Sequence, residues 1–228
     1  MAENQNNTNQ ILIEGFVVGP IQTNVWYLHR EGSRQALLVD PADHGEKLYE
    51  ALSGQGLEIE TILLTHAHFD HIGGLQKLRE LSGAKVFINE KEARLCSDTD
   101  ANLSSDWNRP LTVEPDRWLR DGETIETCGI RLRMIATPGH TEGSCCYYIE
   151  GHDTDGKLLG NSEEPILIAG DTLFEESVGR TDMATGSASA IVRSVREKLF
   201  LLPDDTMVYP GHGGTTTIGH EKLFNAFV

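Results

Sequence analysis

The sequence predicts an α/β fold, and two observations support this prediction. Short apolar runs of strand length alternate with segments whose apolar residues have helical spacing, such as residues 187–201. Several of the strand-like runs end on turns of Gly or Pro that carry a His or an Asp. Because α/β sheets hold their ligands at the ends of strands, the same pattern predicts a functional site along one edge.

Strands and helices are predicted in both halves of the chain. Strands are expected over residues 11–28 (with a turn at Gly19-Pro20), 35–39, 59–64, 84–88, 123–127, 129–136, 144–150, 166–169 and 207–209. Helices are expected over residues 45–54, 72–81, 90–96 and 187–201, and Gly83 is expected to stop the second of them. Residues 97–115 form a polar loop, either a lid or only solvated chain, and residues 151–165 form an exposed hairpin tip.

Length and composition favour one globular domain. A chain of 228 residues fits one α/β domain, which we expect to span residues 11–228. Residues 1–10 are rich in Asn and Gln and have no apolar segment typical of a signal peptide, so we expect a disordered tail. The four cysteines have no CxxC spacing, which favours free, buried thiols and a cytoplasmic protein.

The charge excludes some classes of partner. The formal net charge is −16 and the isoelectric point is near 4.9, so the surface disfavours nucleic acid and repels anionic membranes. No apolar run approaches the ~20 residues needed to span a bilayer. We therefore expect a small-molecule partner, and the sequence predicts no particular oligomeric state.

The stretch Thr65-His66-Ala67-His68-Phe69-Asp70-His71 contains three imidazoles and a carboxylate at the end of a predicted strand. Neutral imidazole and carboxylate are the usual ligands of zinc, iron and manganese. His66 and His68, two residues apart, can converge on one ion, and Asp70 and His71 can point at a second. The alternative is a polar, His-rich turn that holds no metal.

Three other predicted strand ends carry similar residues on Gly or Pro turns: His140 in TPGHT, Asp171 in GDT and His212 in PGHG. If these ends share one edge of the sheet with the His-rich stretch, seven potential ligands meet at one place. Asp40 ends another predicted strand. It either accepts a hydrogen bond from a ligand imidazole or belongs to a simple Asp-Pro turn.

The motifs THAHFDH, TPGHT, GDT and PGHG, in this order, resemble the metal-binding motifs of the metallo-β-lactamase superfamily. Within it, residues 174–182 (FEESVGRTD) and 212–227 resemble the short glyoxalase II-like (hydroxyacylglutathione hydrolase-like) hydrolases. The resemblance implies an αββα sandwich, two packed mixed β-sheets flanked by helices, with the site at one edge of the sheets. It also implies that the helical domain that binds glutathione in full-length glyoxalase II is absent.

The resemblance also implies a ligand set for two divalent metal ions. The first ion would be held by His66, His68 and His140, the second by Asp70, His71 and His212, and Asp171 would bridge both. We expect zinc, with iron or manganese as alternatives. Asp70 and Asp171 are the expected catalytic carboxylates, since both would border the water that the metals activate.

The function implied is hydrolysis of a small thioester, such as S-lactoylglutathione or a related acyl-thiol. Arg180 occupies the position of a cationic substrate contact in longer relatives, although a salt bridge to Asp182 would also explain it. One alternative is a persulfide dioxygenase, which is similar but uses one iron held by residues corresponding to His66, His140 and Asp171. A non-catalytic metal-binding scaffold is a third hypothesis, which the complete ligand set disfavours. The absence of a visible export signal argues against a β-lactamase.

Overall fold

A computed structural model describes residues 10–151 and 164–228 of the chain. The predicted tail, apart from residue 10, and most of the predicted hairpin tip at residues 151–165 lie outside the described residues. Within the described part, two six-stranded sheets pack face to face. Helices cover the outer face of each sheet, as the αββα prediction requires.

The first sheet has the strand order β1-β2-β3-β4-β5-β6. Its strands are β1 (Ile11–Val18), β2 (Thr23–Arg30), β3 (Gln35–Val39), β4 (Glu58–Leu63), β5 (Lys85–Asn89) and β6 (Arg117–Leu119). The pairs from β3 to β6 are parallel, and parallel neighbours need crossover connections. These connections contain α1 (Gly45–Gly54), α2 (Phe69–Ile72), α3 (Leu75–Ser82) and α4 (Ala93–Ser97).

The second sheet has the order β14-β13-β10-β9-β8-β7 and is antiparallel except between β10 and β13. Its strands are β7 (Thr124–Thr127), β8 (Ile130–Ala136), β9 (Cys145–Ile149), β10 (Ile166–Gly170), β13 (Met207–Pro210) and β14 (Thr216–Thr217). A small hairpin of β11 (Leu173–Phe174) and β12 (Ser177–Val178) follows β10. The helices α5 (Ala188–Glu197) and α6 (Ile218–Phe224) complete this half of the chain.

Apolar side chains hold the layers together. Leu37 and Leu63 of the first sheet meet Met134, Tyr147 and Ile168 of the second in one buried cluster. Burial of each such side chain contributes about 1.5–3 kcal/mol. The neighbouring cysteines of β9 separate as strand geometry requires, with Cys145 between the sheets and Cys146 in the cluster under α5. All four cysteines are free and buried, as predicted.

The prediction of one helix over residues 72–81 was wrong. The chain forms two helices, α2 and α3, and the backbone N–H of Gly74 between them donates to the Pro41 carbonyl oxygen at 2.7 Å. Gly73 and Gly74 lie where the chain passes very close to this neighbouring segment. A Cβ atom on Gly73 would lie 2.4 Å from the Ala42 carbonyl oxygen, and one on Gly74 would lie 2.6 Å from that of Pro41. Gly83 does end α3, in the left-handed conformation that favours glycine.

The remaining differences are short elements. The sequence does not predict the strands β6, β11, β12 and β14 or the helix α6. These strands have only two or three residues, too few to show a periodic pattern. Residues 98–116 contain neither helix nor strand, in line with the predicted loop. None of the helices in the described residues is long and apolar enough to cross a membrane.

Candidate metal centre

The predicted ligand residues all lie at the ends of strands, at one edge of the two sheets. His66 and His68 follow β4, and Asp70 and His71 lie in the short helix α2. His140, Asp171 and His212 follow β8, β10 and β13 of the second sheet. Three groups of these residues have ligand atoms within 4.8 Å of one another: His66, His68 and His140; His66, His71 and Asp171; and Asp70, His71 and His212.

The group of His66, His68 and His140 (the three-histidine group) is almost completely buried. His68 Nδ1 lies 2.9 Å from His140 Nε2. Burial lowers the pKa of His66 well below its ordinary value and lowers the pKa of His68 to about 3. These imidazoles are therefore neutral and have lone pairs available, which is the form that binds a metal ion.

Asp171 lies between the three-histidine group and the remaining ligands. Its Oδ1 is 3.4 Å from His71 Nε2, and its Oδ2 is 3.5 Å from both His140 Nε2 and His212 Nε2. Burial opposes ionisation of this carboxyl group, yet His71 and His212 hold its pKa well below its ordinary value. Asp171 is therefore an ionised carboxylate placed where it can contact ions in both groups.

The group of Asp70, His71 and His212 is more open to solvent. Asp70 Oδ2 lies 3.4 Å from His212 Nε2 and 3.7 Å from His71 Nε2, and it accepts a hydrogen bond of 3.1 Å from the Thr23 hydroxyl. Burial works against a charged His212, but hydrogen bonds to Asp171 and Asp70 raise its pKa to about 9. His212 is therefore protonated near neutral pH when no ion is bound, and it would have to release that proton to act as a ligand. The Thr23 contact was not foreseen from the sequence.

Several candidate ligand residues have a buried side-chain atom without a hydrogen-bond partner among the described residues: Nε2 in His66, His68 and His71 and Oδ1 in Asp171. Buried polar atoms without partners are costly and therefore rare in folded proteins. Imidazole nitrogens and a carboxylate oxygen that converge in this way have the donor chemistry that divalent transition metals prefer. The residues present thus fit metal ions.

Asp40 contacts the centre through His71. Its Oδ2 accepts a hydrogen bond from His71 Nδ1 at 2.9 Å, and its two oxygens also accept the backbone N–H and the hydroxyl of Thr65 at 2.8 and 2.6 Å. The backbone at Asp40 is left-handed, with φ of 51°, a conformation that Asp and Asn tolerate better than most residues. Asp40 is thus both a turn residue and a hydrogen-bond partner of the His71 ring.

Replacing Asp40 by Asn is expected to weaken metal binding by roughly 10–100-fold, the usual effect of losing a group that orients a ligand imidazole. The amide keeps the size and tolerates the left-handed backbone, but its NH₂ group would face donors. A chelator competition assay would measure the change. Asp116→Asn is a matched control, because Asp116 also accepts a backbone N–H, from Val86, away from the candidate ligands. Equal affinities in the two variants would contradict this role.

Arg180 lies beside the centre, with its side chain directed elsewhere. Its carbonyl oxygen accepts a hydrogen bond from His140 Nδ1 at 2.8 Å and so helps to orient that ring. Its guanidinium group forms two 3.0 Å hydrogen bonds with the exposed carboxylate of Asp182. The salt bridge considered as the alternative is therefore present, and a substrate contact of Arg180 stays a prediction.

An apolar cavity of about 90 Å³ adjoins the centre beside Asp70. The side chains that line it include those of Val18, Ile21, Phe69, Trp107 and Leu111. Phe69 and Trp107 stack with ring centroids 4.8 Å apart. The sequence did not indicate this cavity, because its walls come from the β1–β2 turn, from α2 and from the loop of residues 98–116, which meet only in the folded chain.

A family profile described as the metallo-beta-lactamase superfamily matches residues 18–212, which include all the candidate ligands. The chain belongs to this superfamily. Some of the relatives have functional names. The probable metallo-hydrolase YqgX of Bacillus subtilis is 35% identical over 92% of this chain and 94% of its own length. The hydroxyacylglutathione hydrolase GloC of Haemophilus influenzae is 28% identical over 87% of this chain and 89% of its own length.

Solved structures of the superfamily share the fold. The BLEG-1 B3 metallo-beta-lactamase superposes with a TM-score of 0.83 and 34% identity, covering 95% of this chain and 99% of its own. TTHA1623 in a di-iron-bound form superposes with a TM-score of 0.77 and 31% identity, covering 94% of this chain and 100% of its own. ETHE1 from Myxococcus xanthus superposes with a TM-score of 0.71 and 27% identity, covering 94% of this chain and 83% of its own. The metallo-β-lactamase fold predicted from the motifs is therefore confirmed.

Proposed function

We propose that this metallo-hydrolase superfamily member is a binuclear metal-dependent hydrolase of small thioesters. The observation that carries the proposal is the position of Asp171, whose carboxylate lies within 3.5 Å of ligand nitrogens in both halves of the centre. The similarity to GloC, a hydroxyacylglutathione hydrolase, supports the thioester class and a glutathione-derived substrate. The similarity to a di-iron protein supports two metal ions, and we expect zinc with iron or manganese as alternatives.

The ligand roles we propose follow the three groups. His66, His68 and His140 would hold one ion, Asp70, His71 and His212 the other, and Asp171 would contact both. Divalent cations held there would polarise the thioester carbonyl and lower the pKa of a water molecule.

Asp70 is the residue we assign to proton transfer. Burial opposes its ionisation, but His71 and His212 lower its pKa, so the group is an ionised carboxylate that can accept a hydrogen bond from a water molecule. The Thr23 hydroxyl donates to Asp70 Oδ2 and thereby orients the carboxylate toward the centre. Asp70 would then orient the attacking water and accept its proton, a role for which geometry is the first requirement.

The apolar cavity beside Asp70 supports a substrate with an apolar part. Asp70 itself lines the cavity, so the cavity adjoins the proposed reaction site. Apolar walls with a few polar groups at one end are typical of small-molecule sites. The four free, buried thiols suit a reducing compartment, and we propose that the protein acts in the cytoplasm.

A substrate panel tests the proposal. The protein, loaded with zinc or with iron, is assayed against S-lactoylglutathione, simple acyl thioesters of increasing chain length and a chromogenic β-lactam, and its metal content is measured by elemental analysis. We expect two ions per chain and thioester cleavage. Two bound ions with cleavage of the β-lactam alone would overturn the thioester proposal and favour the activity named for BLEG-1.

The alternative is a mononuclear iron persulfide dioxygenase, with iron held by His66, His140 and Asp171. The structural similarity to ETHE1 gives it some support. The complete second group of Asp70, His71 and His212 favours the hydrolase instead. A single iron per chain, together with oxygen uptake that depends on glutathione persulfide, would decide for the dioxygenase.

Trp107→Ala is expected to raise KM for long-chain acyl thioesters about tenfold, which corresponds to about 1.4 kcal/mol of binding free energy. The change removes one wall of the cavity and the ring stacked on Phe69, and it leaves every proposed metal ligand in place. Steady-state kinetics with a short and a long acyl chain would measure it, with kcat unchanged. Trp118→Ala is the control, because Trp118 is similarly exposed but lies on β6. A KM that rises equally in both variants would refute a role of the cavity in binding.

A further inference from the structure

Glu92 is a completely buried carboxylate that none of the roles described above uses. It ends a 3₁₀ turn, Glu90–Glu92, between β5 and α4, and its exposed fraction is 0%. Its Oε1 accepts a hydrogen bond from the Ala67 backbone N–H at 2.9 Å, and its Oε2 accepts one from the Thr141 hydroxyl at 2.8 Å. The backbone N–H of Gly143 donates to it as well. These contacts are made to both carboxyl oxygens, and burial raises the pKa of Glu92 to about 7.

The partners of Glu92 lie in the two loops that carry the three-histidine group. Ala67 stands between His66 and His68, in the loop that follows β4 of the first sheet. Thr141 follows His140, in the loop between β8 and β9 of the second sheet. One carboxylate therefore joins two loops that belong to different sheets. It does so within one residue of each of the three histidines.

Two further features bring the segment that contains Glu92 close to the loop that follows His140. The Asn89 side-chain amide donates to the Gly143 carbonyl oxygen at 2.9 Å, so the segment that contains Glu92 contacts the His140 loop a second time. A Cβ atom on Gly143 would lie 2.3 Å from both the backbone nitrogen and Oε2 of Glu92, so no larger residue fits there without a shift. Burying a polar group is costly unless it is hydrogen-bonded, and both carboxyl oxygens of Glu92 have hydrogen-bond partners here.

We propose that Glu92 is a positioning residue for the three-histidine group. Its hydrogen bonds to Ala67 and Thr141 hold the loop that carries His66 and His68 against the loop that carries His140. Metal affinity depends on ligand atoms held to within about 0.5 Å, so loosening either loop weakens the site. The proposal rests on the metal ligation put forward above and not on the thioester substrate. A protein that binds metal but cleaves no thioester would leave it standing.

The test is the affinity of metal-free protein for Co²⁺, followed by its absorption spectrum. His212→Ala is introduced throughout, because it removes a ligand from the second group and leaves the three-histidine group to be measured alone. In that background Glu92→Gln is expected to lower Co²⁺ affinity about tenfold, the lower end of the range for groups that support metal ligands. The amide keeps the size of the side chain but turns an NH₂ group toward a donor.

Glu221→Gln is the matched control. Glu221 is also a buried carboxylate that accepts hydrogen bonds, from the Thr216 hydroxyl, the Asn225 side-chain amide and the Glu176 backbone N–H. None of these partners is adjacent in sequence to a residue of the three-histidine group. Both variants should lower the Tm of the metal-free protein, since both leave a donor facing an amide, but only Glu92→Gln should weaken Co²⁺ binding.

Thr141→Val provides a second, milder test if Glu92→Gln does not fold. It removes the hydroxyl donor and keeps the carboxylate, so Co²⁺ affinity should fall in the same direction by a smaller factor. A Co²⁺ affinity within about twofold of the parent in the variants that fold would overturn the proposal, as would an equal loss in Glu221→Gln.

Discussion

Replacing Asp171 by Asn is expected to abolish both metal binding and hydrolysis. The Asp171 carboxylate lies within 3.5 Å of His71, His140 and His212 together. The substitution removes a negative charge from the centre of a cluster of imidazoles, so cations in either group lose their shared counter-charge. Loss of a group that only supports a metal ligand lowers metal affinity or activity roughly 10–100-fold. Asp171 is itself a proposed ligand, so we expect kcat/KM to fall further, by more than about 10³-fold.

Elemental analysis and steady-state kinetics on the same preparation measure this effect. Wild-type protein should hold two ions per chain and the Asp171→Asn variant fewer than one. Asp116→Asn again serves as the control, because it removes a carboxylate that pairs with Arg79 and Lys85, away from the candidate ligands. If the Asp171→Asn variant retained two ions and normal turnover, Asp171 would not bridge the two groups.

Replacing His140 by Ala is expected to remove one ion and leave the other. His140 belongs to the three-histidine group, whereas Asp70, His71 and His212 do not include it. Deleting a ligand removes both a donor atom and the geometry it defines, so the three-histidine group should lose its ion and most of the activity should disappear with it. The loss in kcat/KM should again exceed about 10³-fold. This is more than the loss expected for a residue such as Asp40, which only hydrogen-bonds to a proposed ligand.

The metal content separates this variant from Asp171→Asn. We expect about one ion per chain for His140→Ala, measured after dialysis against metal-free buffer. His220→Ala is the control, since His220 is a partly exposed histidine that pairs with Glu176 and belongs to none of the candidate groups. Retention of two ions by the His140→Ala variant would show that the three-histidine group is not a binding site.

Much of the candidate centre was predictable, because its residues carry their own local signal. His66 to His71 form a dense motif, and each of the other candidates, such as His140, stands on a Gly or Pro turn after an apolar run. Strand ends in an α/β layer share an edge, so residues far apart in sequence could be expected to meet. The structure does bring them together. That these residues bind metal stays a prediction.

Glu92 shows why the supporting contacts were not predictable. It lies in the polar run Asn89-Glu90-Lys91-Glu92, which is typical of a solvated turn, yet Glu92 is completely buried. Its burial results from contacts with Ala67 and Thr141, which lie 25 and 49 residues away in the sequence. No local sequence pattern indicates contacts between residues so far apart in the chain. Asp40 is intermediate, because its place at a strand end was visible and its bond to the His71 ring was not.

The sequence by itself thus determined the order of most of the longer strands and helices, since periodicity is a local property. Through the resemblance of its motifs it also indicated the αββα fold and the set of candidate ligands. Only the tertiary structure decided where the helix over residues 72–81 breaks, how Asp40 and Glu92 support the loops, and where the cavity beside Asp70 lies. These features depend on the close approach of segments from different parts of the chain, such as Gly74 against Pro41. Close packing of that kind is a property of the folded molecule and not of any one segment.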